Sequence, residues 1–200
     1  MRIGVLGGTF DPIHVGHLII AESVREEVGL DEIWFMPAFR PPHKAGERVT
    51  DAALRMEMVK AAIAGNPRFR ASGLEFELGG PSYTVETVRA LADRYPDDRF
   101  YWIIGGDMIA WLPNFHRVEE LAERIGFIGV KRPGYENGID RLPDRLRKAV
   151  TMAEAPLIDV SSADIRRRLG DGRSVRYLVP DAVISLIREK GLYGSGAIDG

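Results

Sequence analysis

The chain has 200 residues, 45% of them hydrophobic and 28% charged, and no apolar run long enough to cross a membrane, which is the profile of an ordinary globular protein. Its formal net charge of -2 gives no global field that would hold a nucleic acid, so any phosphate site must be local. The lack of cysteine excludes disulfides and thiolate metal sites and favours a reducing compartment, which predicts a cytoplasmic protein without nucleic-acid or membrane partners.

Short apolar runs alternate with longer segments of helical periodicity. In chain order, the sequence predicts a strand over residues 3–6, a helix over 16–28, a strand over 32–37, helices over 51–64 and 85–95, a strand over 99–105, a helix over 118–124 and a strand over 126–130. This alternation implies right-handed crossovers, which place helices on both faces of a parallel sheet. The predicted fold class is a doubly wound α/β sheet of the Rossmann-like type, with ligands at the carboxyl ends of the strands.

The pattern changes near residue 160, where two helices are predicted to form a small C-terminal appendage on the sheet. Ser161 is a natural N-cap for the first helix. Pro180 starts the second helix and Gly191 ends it as a C-cap. We therefore expect a single domain over residues 1–200, with 160–193 as a helical C-terminal subdomain and 194–200 as a disordered tail.

The segment GGTFDPIHVGH follows the first predicted strand and leads into the first predicted helix. Gly7 and Gly8 lack the Cβ atoms that would keep a phosphate away from the backbone, and Thr9 adds a hydroxyl donor. A strand, a glycine turn and a helix N-terminus in this order present N–H groups to an anion. A Gly-Gly turn by itself also fits a plain strand-to-helix connection. The chain contains neither GxxxxGKS/T nor GxGxxG, so a P-loop and a dinucleotide fingerprint are both excluded.

His14 and His17 are three residues apart in this segment. If the helix begins near Ile13, the two imidazoles share one face and point at the same ligand. As donors, they can hold negative oxygens and stabilise charge on a transferred phosphoryl group. A zinc site would need a third ligand, and only His43, His116 and scattered carboxylates remain, so no protein metal site is predicted.

Together these residues resemble the HxGH signature of the nucleotidyltransferase superfamily, which is related to the HIGH motif of class I aminoacyl-tRNA synthetases. Of its branches, the chain is most similar to bacterial nicotinate mononucleotide adenylyltransferases, because further motifs recur in order along nearly its whole length. The resemblance implies a catalytic role for His14 and His17 at the triphosphate of ATP. It also implies ATP contacts from the preceding loop, namely Gly7, Gly8, Thr9 and Phe10.

Further motifs resemble ATP-binding segments of the same family. In RPPHK, the resemblance implies that Lys44 reaches the phosphates, although a solvated proline-rich turn would also explain the segment. GGD ends the strand over 99–105, and the resemblance implies that Gly105 and Asp107 contact the adenosine part of ATP, although a capped strand-end turn fits as well. KRPGY resembles the family's RPGY near the adenine, which implies a contact from Arg132.

VSSADIR resembles the family's ISSTxIR, which binds the leaving β and γ phosphates. Ser161, Ser162 and Arg166 match this motif, so the resemblance implies that both serines bind ATP and that Arg166 has a catalytic role. Ala163 departs from the motif and removes one hydroxyl. An arginine near a helix N-terminus opposes the helix dipole unless an anion is near, which agrees with a phosphate at this point.

The acceptor end is indicated by GPSYT, which precedes the helix over 85–95 and for which Thr84 is a natural N-cap. The resemblance implies that Ser82, Tyr83 and Thr84 line the acceptor site, where N–H groups of the helix N-terminus receive the pyridine carboxylate. Phe115 stands where the family usually has a tryptophan stacked on the pyridine ring, so stacking is kept with less ring area. A buried core position would explain Phe115 as well.

The resemblance implies that a phosphate oxygen of nicotinate mononucleotide attacks the α-phosphorus of ATP, giving nicotinate adenine dinucleotide and pyrophosphate for NAD biosynthesis. The acceptor phosphate is mostly a dianion at neutral pH, so neither a covalent intermediate nor a strong base is required. Mg²⁺ is expected on the ATP phosphates, the partners are small molecules, and a homo-oligomer stays open. The alternatives are the same chemistry on nicotinamide mononucleotide or phosphopantetheine, synthetase-like ligation on RNA, and a noncatalytic nucleotide-binding module.

Overall fold

A computed structural model describes residues 1–41, 46, 49–131, 138–156 and 158–194, apart from the side chain of Asp107. Within these residues, six parallel strands form one sheet in the order β3-β2-β1-β4-β5-β6. The strands are β1 (Arg2–Gly8), β2 (Glu32–Pro37), β3 (Phe69–Ala71), β4 (Arg99–Gly105), β5 (Gly126–Val130) and β6 (Val150–Ala153). The α-helices are α1 (Val15–Val28), α2 (Ala52–Ile63), α3 (Leu74–Leu78), α4 (Thr84–Arg94), α5 (Gly106–Trp111), α6 (Val118–Arg124), α7 (Asp144–Ala149), α8 (Ser162–Gly170) and α9 (Asp181–Glu189).

The predicted doubly wound α/β fold is confirmed, and every strand and helix predicted from hydrophobic pattern is present within a residue or two of its expected bounds. The sequence missed β3 and β6, which have three and four residues and lie at the two edges of the sheet. Strands of three or four residues are too short to show a clear apolar run or alternation in the sequence. The short helices α3, α5 and α7 were missed as well, because a helix of five or six residues barely completes its period.

The strand order reverses beside β1, because β2 and β3 lie on one side of it and β4 to β6 lie on the other. Gly8 at the end of β1 pairs with Pro37 at the end of β2, and the backbone N–H of Ala38 donates to the carbonyl of Gly8 at 2.9 Å. In open parallel sheets, ligands bind outside the carboxyl ends of the strands at such a reversal. The segment after Gly8 therefore occupies the position where this fold builds a ligand site.

Alternate residues of the central strands face opposite sides of the sheet, so each side has its own core. Leu6, Phe35 and Ile103 belong to one buried cluster, which includes residues of α1, α2, α8 and α9. Val5 and Trp102 belong to the other cluster, which includes residues of α4 and α6. The middle of β1 is thus buried on both faces of the sheet.

The C-terminal helices α8 and α9 share the buried cluster of α1 and α2, so they pack on the sheet as the sequence predicted. One detail of that prediction is wrong, because α9 ends at Glu189 with Lys190 as the C-cap rather than Gly191. The backbone N–H of Gly191 bonds to the carbonyl of Arg188 three residues back, which tightens the chain after the helix has closed. Of the predicted tail, residues 195–200 lie outside the described residues. None of the helices in the described part of the chain is long and apolar enough to cross a membrane.

Candidate active site

Two aromatic rings pack closely against the glycines at the start of the loop after β1. A Cβ on Gly7 would lie 2.8 Å from Cζ2 of the buried Trp102 ring, and one on Gly8 would lie 3.1 Å from Cζ of Phe10. Phe10 itself adopts a positive φ of 51°, which is uncommon for a residue with a side chain. The sequence explained the two glycines by the approach of a phosphate. The structure adds a second reason, because the Trp102 ring leaves no room for a side chain at Gly7 and the Phe10 ring leaves little room for one at Gly8.

Three carbonyls of this loop accept hydrogen bonds from other parts of the chain. The carbonyl of Thr9 accepts from Arg55 Nη1 at 2.8 Å. The carbonyl of Asp11 accepts from Arg166 Nη1 at 2.7 Å, and that of Pro12 accepts from Ser162 Oγ at 2.9 Å. Because these oxygens are engaged by protein donors, their negative ends are neutralised around a loop that is expected to face an anion.

The Asp11 side chain is buried beneath the loop and accepts from Tyr193 Oη at 2.5 Å and from the backbone N–H of Thr50 at 3.2 Å. Burial and the hydrogen bond to Asp11 both raise the pKa of Tyr193, so its hydroxyl stays a donor. The C-terminal turn is therefore tied to the loop. The sequence missed both residues, because Tyr193 is distant in the chain and Asp11 looked like an ordinary turn residue.

The two histidines stand at the N-terminus of α1, but not both on the helix as the sequence predicted. The helix begins at Val15, within a residue of the predicted start at 16 but later than the start near Ile13 that would place both histidines on it, and His14 is its N-cap with an extended backbone (φ -143°, ψ 169°). The backbone N–H of His14 donates to Nδ1 of His17 at 3.2 Å, so the histidines form a capping pair. This pairing satisfies a backbone donor, which is the physical reason for the later helix start.

The rings of His14 and His17 are stacked, with their centroids 3.7 Å apart and an interplanar angle of 27°. The edge contact of Phe10 with His17, at 5.0 Å between centroids, holds the other side of that ring. Gly16 makes room for the stack, since a Cβ there would lie 3.1 Å from Nδ1 of His14. Because Nδ1 of His17 accepts a hydrogen bond, its neutral ring carries the proton on Nε2 and can donate to a ligand.

The segment over residues 82–84, called the acceptor segment after its predicted role, is held to the loop after β2. Ser82 Oγ accepts from the backbone N–H groups of Phe39 and Arg40 at 2.9 and 3.3 Å, and the N–H of Ser82 donates to the carbonyl of Arg40 at 3.0 Å. Tyr83 is the N-cap of α4 and Thr84 is its first helical residue, so the predicted N-cap role of Thr84 is wrong. The chain enters α4 one residue earlier because the bonds of Ser82 fix the segment before it.

Two aromatic contacts lie at the acceptor end. Tyr83 is 41% exposed, and its ring lies 5.0 Å from that of His116. Phe115 is half-buried and packs against the cluster below α4 and α6, which agrees with the core position that the sequence left open. Its expected stacking on a pyridine ring stays a prediction.

Glu75, which the sequence did not single out, is buried in α3 beside the acceptor segment. Thr87 Oγ1 donates to its Oε1 at 3.0 Å. Burial raises the pKa of Glu75, against the lowering effects of Ser82 and Thr87. No motif in the sequence marks this residue, because a glutamate in LEFEL reads as one of two exposed helix positions.

We expect Glu75→Gln to stabilise the protein more at pH 7 than at pH 4.5. The raised pKa means that the folded state keeps a proton which the unfolded state loses above about pH 4.5, so the wild-type chain loses stability as the pH rises towards the folded pKa. Each pH unit in that window is worth about 1.4 kcal/mol, or roughly 3–6 °C in melting temperature for a domain of this size. Thermal unfolding followed by circular dichroism at both pH values measures the difference. Equal effects at the two pH values would contradict the assignment, and Glu57→Gln, at an exposed position of α2, is the matched control for the exchange of a carboxylate for an amide.

A cavity of about 190 Å³ lies between α3 and α4, where Glu75, Ser82 and Thr87 line it. A larger cavity of about 420 Å³ is lined by Arg99 and Gly126 at the amino ends of β4 and β5. Size alone would favour the larger one. Because parallel sheets bind ligands at the carboxyl ends of their strands, we place the candidate site at the smaller cavity and the adjoining loop.

The remaining predicted site residues divide into those that the structure places and those that lie outside it. Ser161 is the N-cap of α8 as predicted, with Oγ accepting from the N–H of Asp164 at 3.1 Å. Gly105 ends β4 and caps α5. Lys44, Arg132 and the side chain of Asp107 lie outside the described part of the chain. Among the described residues, no group of three or more histidine or carboxylate side chains is arranged to hold a metal ion.

Comparison with known proteins gives one consistent family. The model of the cytidylyltransferase-like family matches residues 5–168. The probable nicotinate-nucleotide adenylyltransferase of Geobacillus thermodenitrificans is 47% identical over 194 residues, covering 97% of this chain and 87% of that protein. The nicotinate-nucleotide adenylyltransferase of Bacillus subtilis is 46% identical, covering 97% of this chain and 99% of its own.

A solved structure shares the same architecture. The nicotinic acid mononucleotide adenylyltransferase of Plasmodium falciparum, complexed with NaAD, superposes with a TM-score of 0.77 at 18% identity, covering 96% of this chain and 97% of its own. At that identity the likeness shows the fold, while the relatives above 45% identity show the family. The chain therefore belongs to the cytidylyltransferase-like family and, within it, to the nicotinate-nucleotide adenylyltransferases, as its HxGH motif predicted.

Proposed function

We propose that this enzyme transfers the adenylyl group of ATP to nicotinate mononucleotide, with release of pyrophosphate and formation of nicotinate adenine dinucleotide in NAD biosynthesis. The observation that carries the proposal is the stacked His14–His17 pair at the strand-order reversal of the sheet. The pair stands at the N-terminus of a 14-residue helix, where the helix dipole also favours phosphate.

The donor half of the site is built from the loop after β1 and the start of α8. We assign the ATP contacts to Gly7, Gly8, Thr9, Phe10, Gly105, Asp107, Arg132, Ser161 and Ser162. His14, His17, Lys44 and Arg166 supply the donors that neutralise the transferred and leaving phosphates. Mg²⁺ enters as part of the substrate, on ATP oxygens and water, and the imidazole and guanidinium donors of this half suit phosphate oxygens rather than a cation.

The acceptor half is built from Ser82, Tyr83, Thr84 and Phe115. The N-terminus of the 11-residue helix α4 offers N–H groups to the pyridine carboxylate. Ser82 already accepts two backbone N–H groups, so its side chain shapes the acceptor segment. The exposed ring of Tyr83 and the half-buried ring of Phe115 offer aromatic surface to the pyridine ring.

The chemistry needs alignment and charge neutralisation more than proton transfer. An oxygen of the acceptor phosphate attacks the α-phosphorus, the bond from that phosphorus to the bridging oxygen breaks, and pyrophosphate leaves with the electron pair. The acceptor is already mostly a dianion at neutral pH, so no base has to remove a proton. The Nε2–H of His17 and the guanidinium of Arg166 stabilise the charge that builds on the phosphates.

Pyrophosphate release from ATP and Mg²⁺ with a panel of acceptors tests the proposal. We expect turnover with nicotinate mononucleotide well above the blank without acceptor, and slower turnover with nicotinamide mononucleotide and phosphopantetheine. If nicotinate mononucleotide gave no rate above the blank while another acceptor turned over, the proposed substrate would be wrong.

A further inference from the structure

Arg55, on the first turn of α2, is the largest of the fully buried side chains in the described residues, with 1% of its surface exposed. Its three nitrogen donors bond to backbone carbonyls, with Nε on Thr50 at 2.9 Å, Nη1 on Thr9 at 2.8 Å and Nη2 on Phe39 at 3.3 Å. A guanidinium with this degree of burial cannot contact a substrate. Its position nevertheless makes it part of the site, because two of its three acceptors belong to loops that form the site.

The two distal bonds of Arg55 reach the two halves of the site. Thr9 belongs to the loop after β1, which forms the donor half. Phe39 belongs to the segment after β2, whose backbone N–H groups at Phe39 and Arg40 donate to Ser82 Oγ in the acceptor half. A path of hydrogen bonds therefore runs from the ATP loop to the acceptor segment through one guanidinium.

Buried polar groups extend this path at both ends. Thr50, whose carbonyl accepts from Arg55, donates its N–H to Asp11, which is held by Tyr193. At the acceptor end, buried Glu75 accepts a hydrogen bond from Thr87 on α4, and the positive charge of Arg55 stabilises its carboxylate. Because Arg55, Asp11 and Glu75 are buried, a shift of one loop that broke one of their bonds would leave a donor or acceptor unpaired at high cost.

We propose that Arg55 is a positioning residue that couples the two substrate sites, so that ATP bound at the loop after β1 favours nicotinate mononucleotide at the Ser82 segment. The guanidinium is planar, and its N–H donors are fixed relative to one another. A displacement of the Thr9 carbonyl therefore moves the whole guanidinium, which in turn shifts the Phe39 carbonyl bonded to it. Coupling of this kind is reciprocal, and each substrate raises the affinity of the other by the same factor. The inference rests on the proposed function and adds a thermodynamic link between its two substrates.

Calorimetric titration of nicotinate mononucleotide, with and without saturating α,β-methylene ATP and Mg²⁺, measures the coupling directly. We expect the wild-type chain to bind the acceptor at least about 5-fold more tightly when the ATP analogue is bound. In Arg55→Lys, which keeps the positive charge but loses the fork, we expect that ratio to fall to about 1. A merely structural role would lower stability or both affinities without removing the ratio. Arg25→Lys on α1, where Arg25 pairs with Glu22 away from both loops, is the matched control and should keep the wild-type ratio.

The inference is overturned if the wild-type ratio is about 1, or if folded Arg55→Lys keeps the ratio within twofold of the wild-type value. If Arg55→Lys does not fold, the same titrations on Ser82→Ala test the coupling. This change leaves the three bonds of Arg55 in place and removes the hydrogen bonds that link Phe39 and Arg40 to the acceptor segment. A reduced ratio in Ser82→Ala supports the coupling, and an unchanged ratio overturns it. Pyrophosphate release by the wild-type enzyme is judged separately, so the proposed function can stand when the coupling fails.

Discussion

Replacing His17 by alanine is expected to lower kcat by more than about 10²-fold, as is typical for the loss of one donor that stabilises transition-state charge. His17 is held between the stacked ring of His14 and the edge of Phe10, with its Nδ1 accepting from the backbone N–H of His14. With Nδ1 as an acceptor, the neutral ring carries its proton on Nε2, and we expect this N–H to act on a phosphate. The fold should remain, because the change removes a capping acceptor worth about 1 kcal/mol at the start of a helix. Steady-state pyrophosphate release and a thermal melt measure the two effects.

Glu26→Ala is the control for this prediction, since Glu26 lies on the exposed face of the same helix and its side chain is 69% exposed. We expect its kcat to equal that of the wild-type enzyme. Near-normal turnover of a folded His17→Ala enzyme would show that the ring does not act on the transferred phosphoryl group, and the donor half would have to be reassigned.

Replacing Arg166 by alanine is expected to lower kcat/KM for ATP by about 10²- to 10³-fold. Arg166 comes from α8 and reaches back to the carbonyl of Asp11 at 2.7 Å, which leaves other guanidinium nitrogens beside the loop. A guanidinium binds phosphate through two nitrogens, so Arg166→Lys should recover only part of the loss. Initial rates at varied ATP and saturating acceptor measure the change.

The next residue provides a matched control. Arg167 has a side chain that is 68% exposed and pairs with Asp164 on its own helix, so Arg167→Ala should leave kcat/KM close to the wild-type value. If both arginine variants lost activity to the same extent, a general electrostatic effect of α8 would explain the result, and the specific role of Arg166 would be rejected.

The parts of the site that could be predicted are those coded by neighbouring residues. GGTFDPIHVGH places a turn, a helix start and two imidazoles within one segment, and the capping of α8 by Ser161 follows in the same way from the local segment VSSADIR. The segment did not show that His14 is the N-cap of α1, nor that aromatic rings crowd the positions of Gly7 and Gly8. The motif identifies the residues of this segment, and the packing around it explains why those residue types are needed there.

The sequence contains one weak indication that Arg55 is buried. It stands four residues before Val59 and eight before Ile63, so a charged residue begins the buried stripe of α2. A positively charged side chain on the buried face of a helix indicates that hydrogen-bond acceptors are buried beside it, but the sequence does not identify them. The acceptors are carbonyls of Thr9 and Phe39, 46 and 16 positions away in the chain.

The sequence by itself determined the alternation of strands and helices, the family, and the glycine loop after β1 with its two histidines, because these depend on periodicity and on residues within a few positions of each other. Only the tertiary structure decided how the ATP loop is joined to the acceptor segment. Tyr193 and Asp11 meet across 182 positions of the chain, and Arg55 and Glu75 gain their roles from burial. Burial and hydrogen-bond partners are properties of the folded packing, which arranges distant segments that no local pattern records.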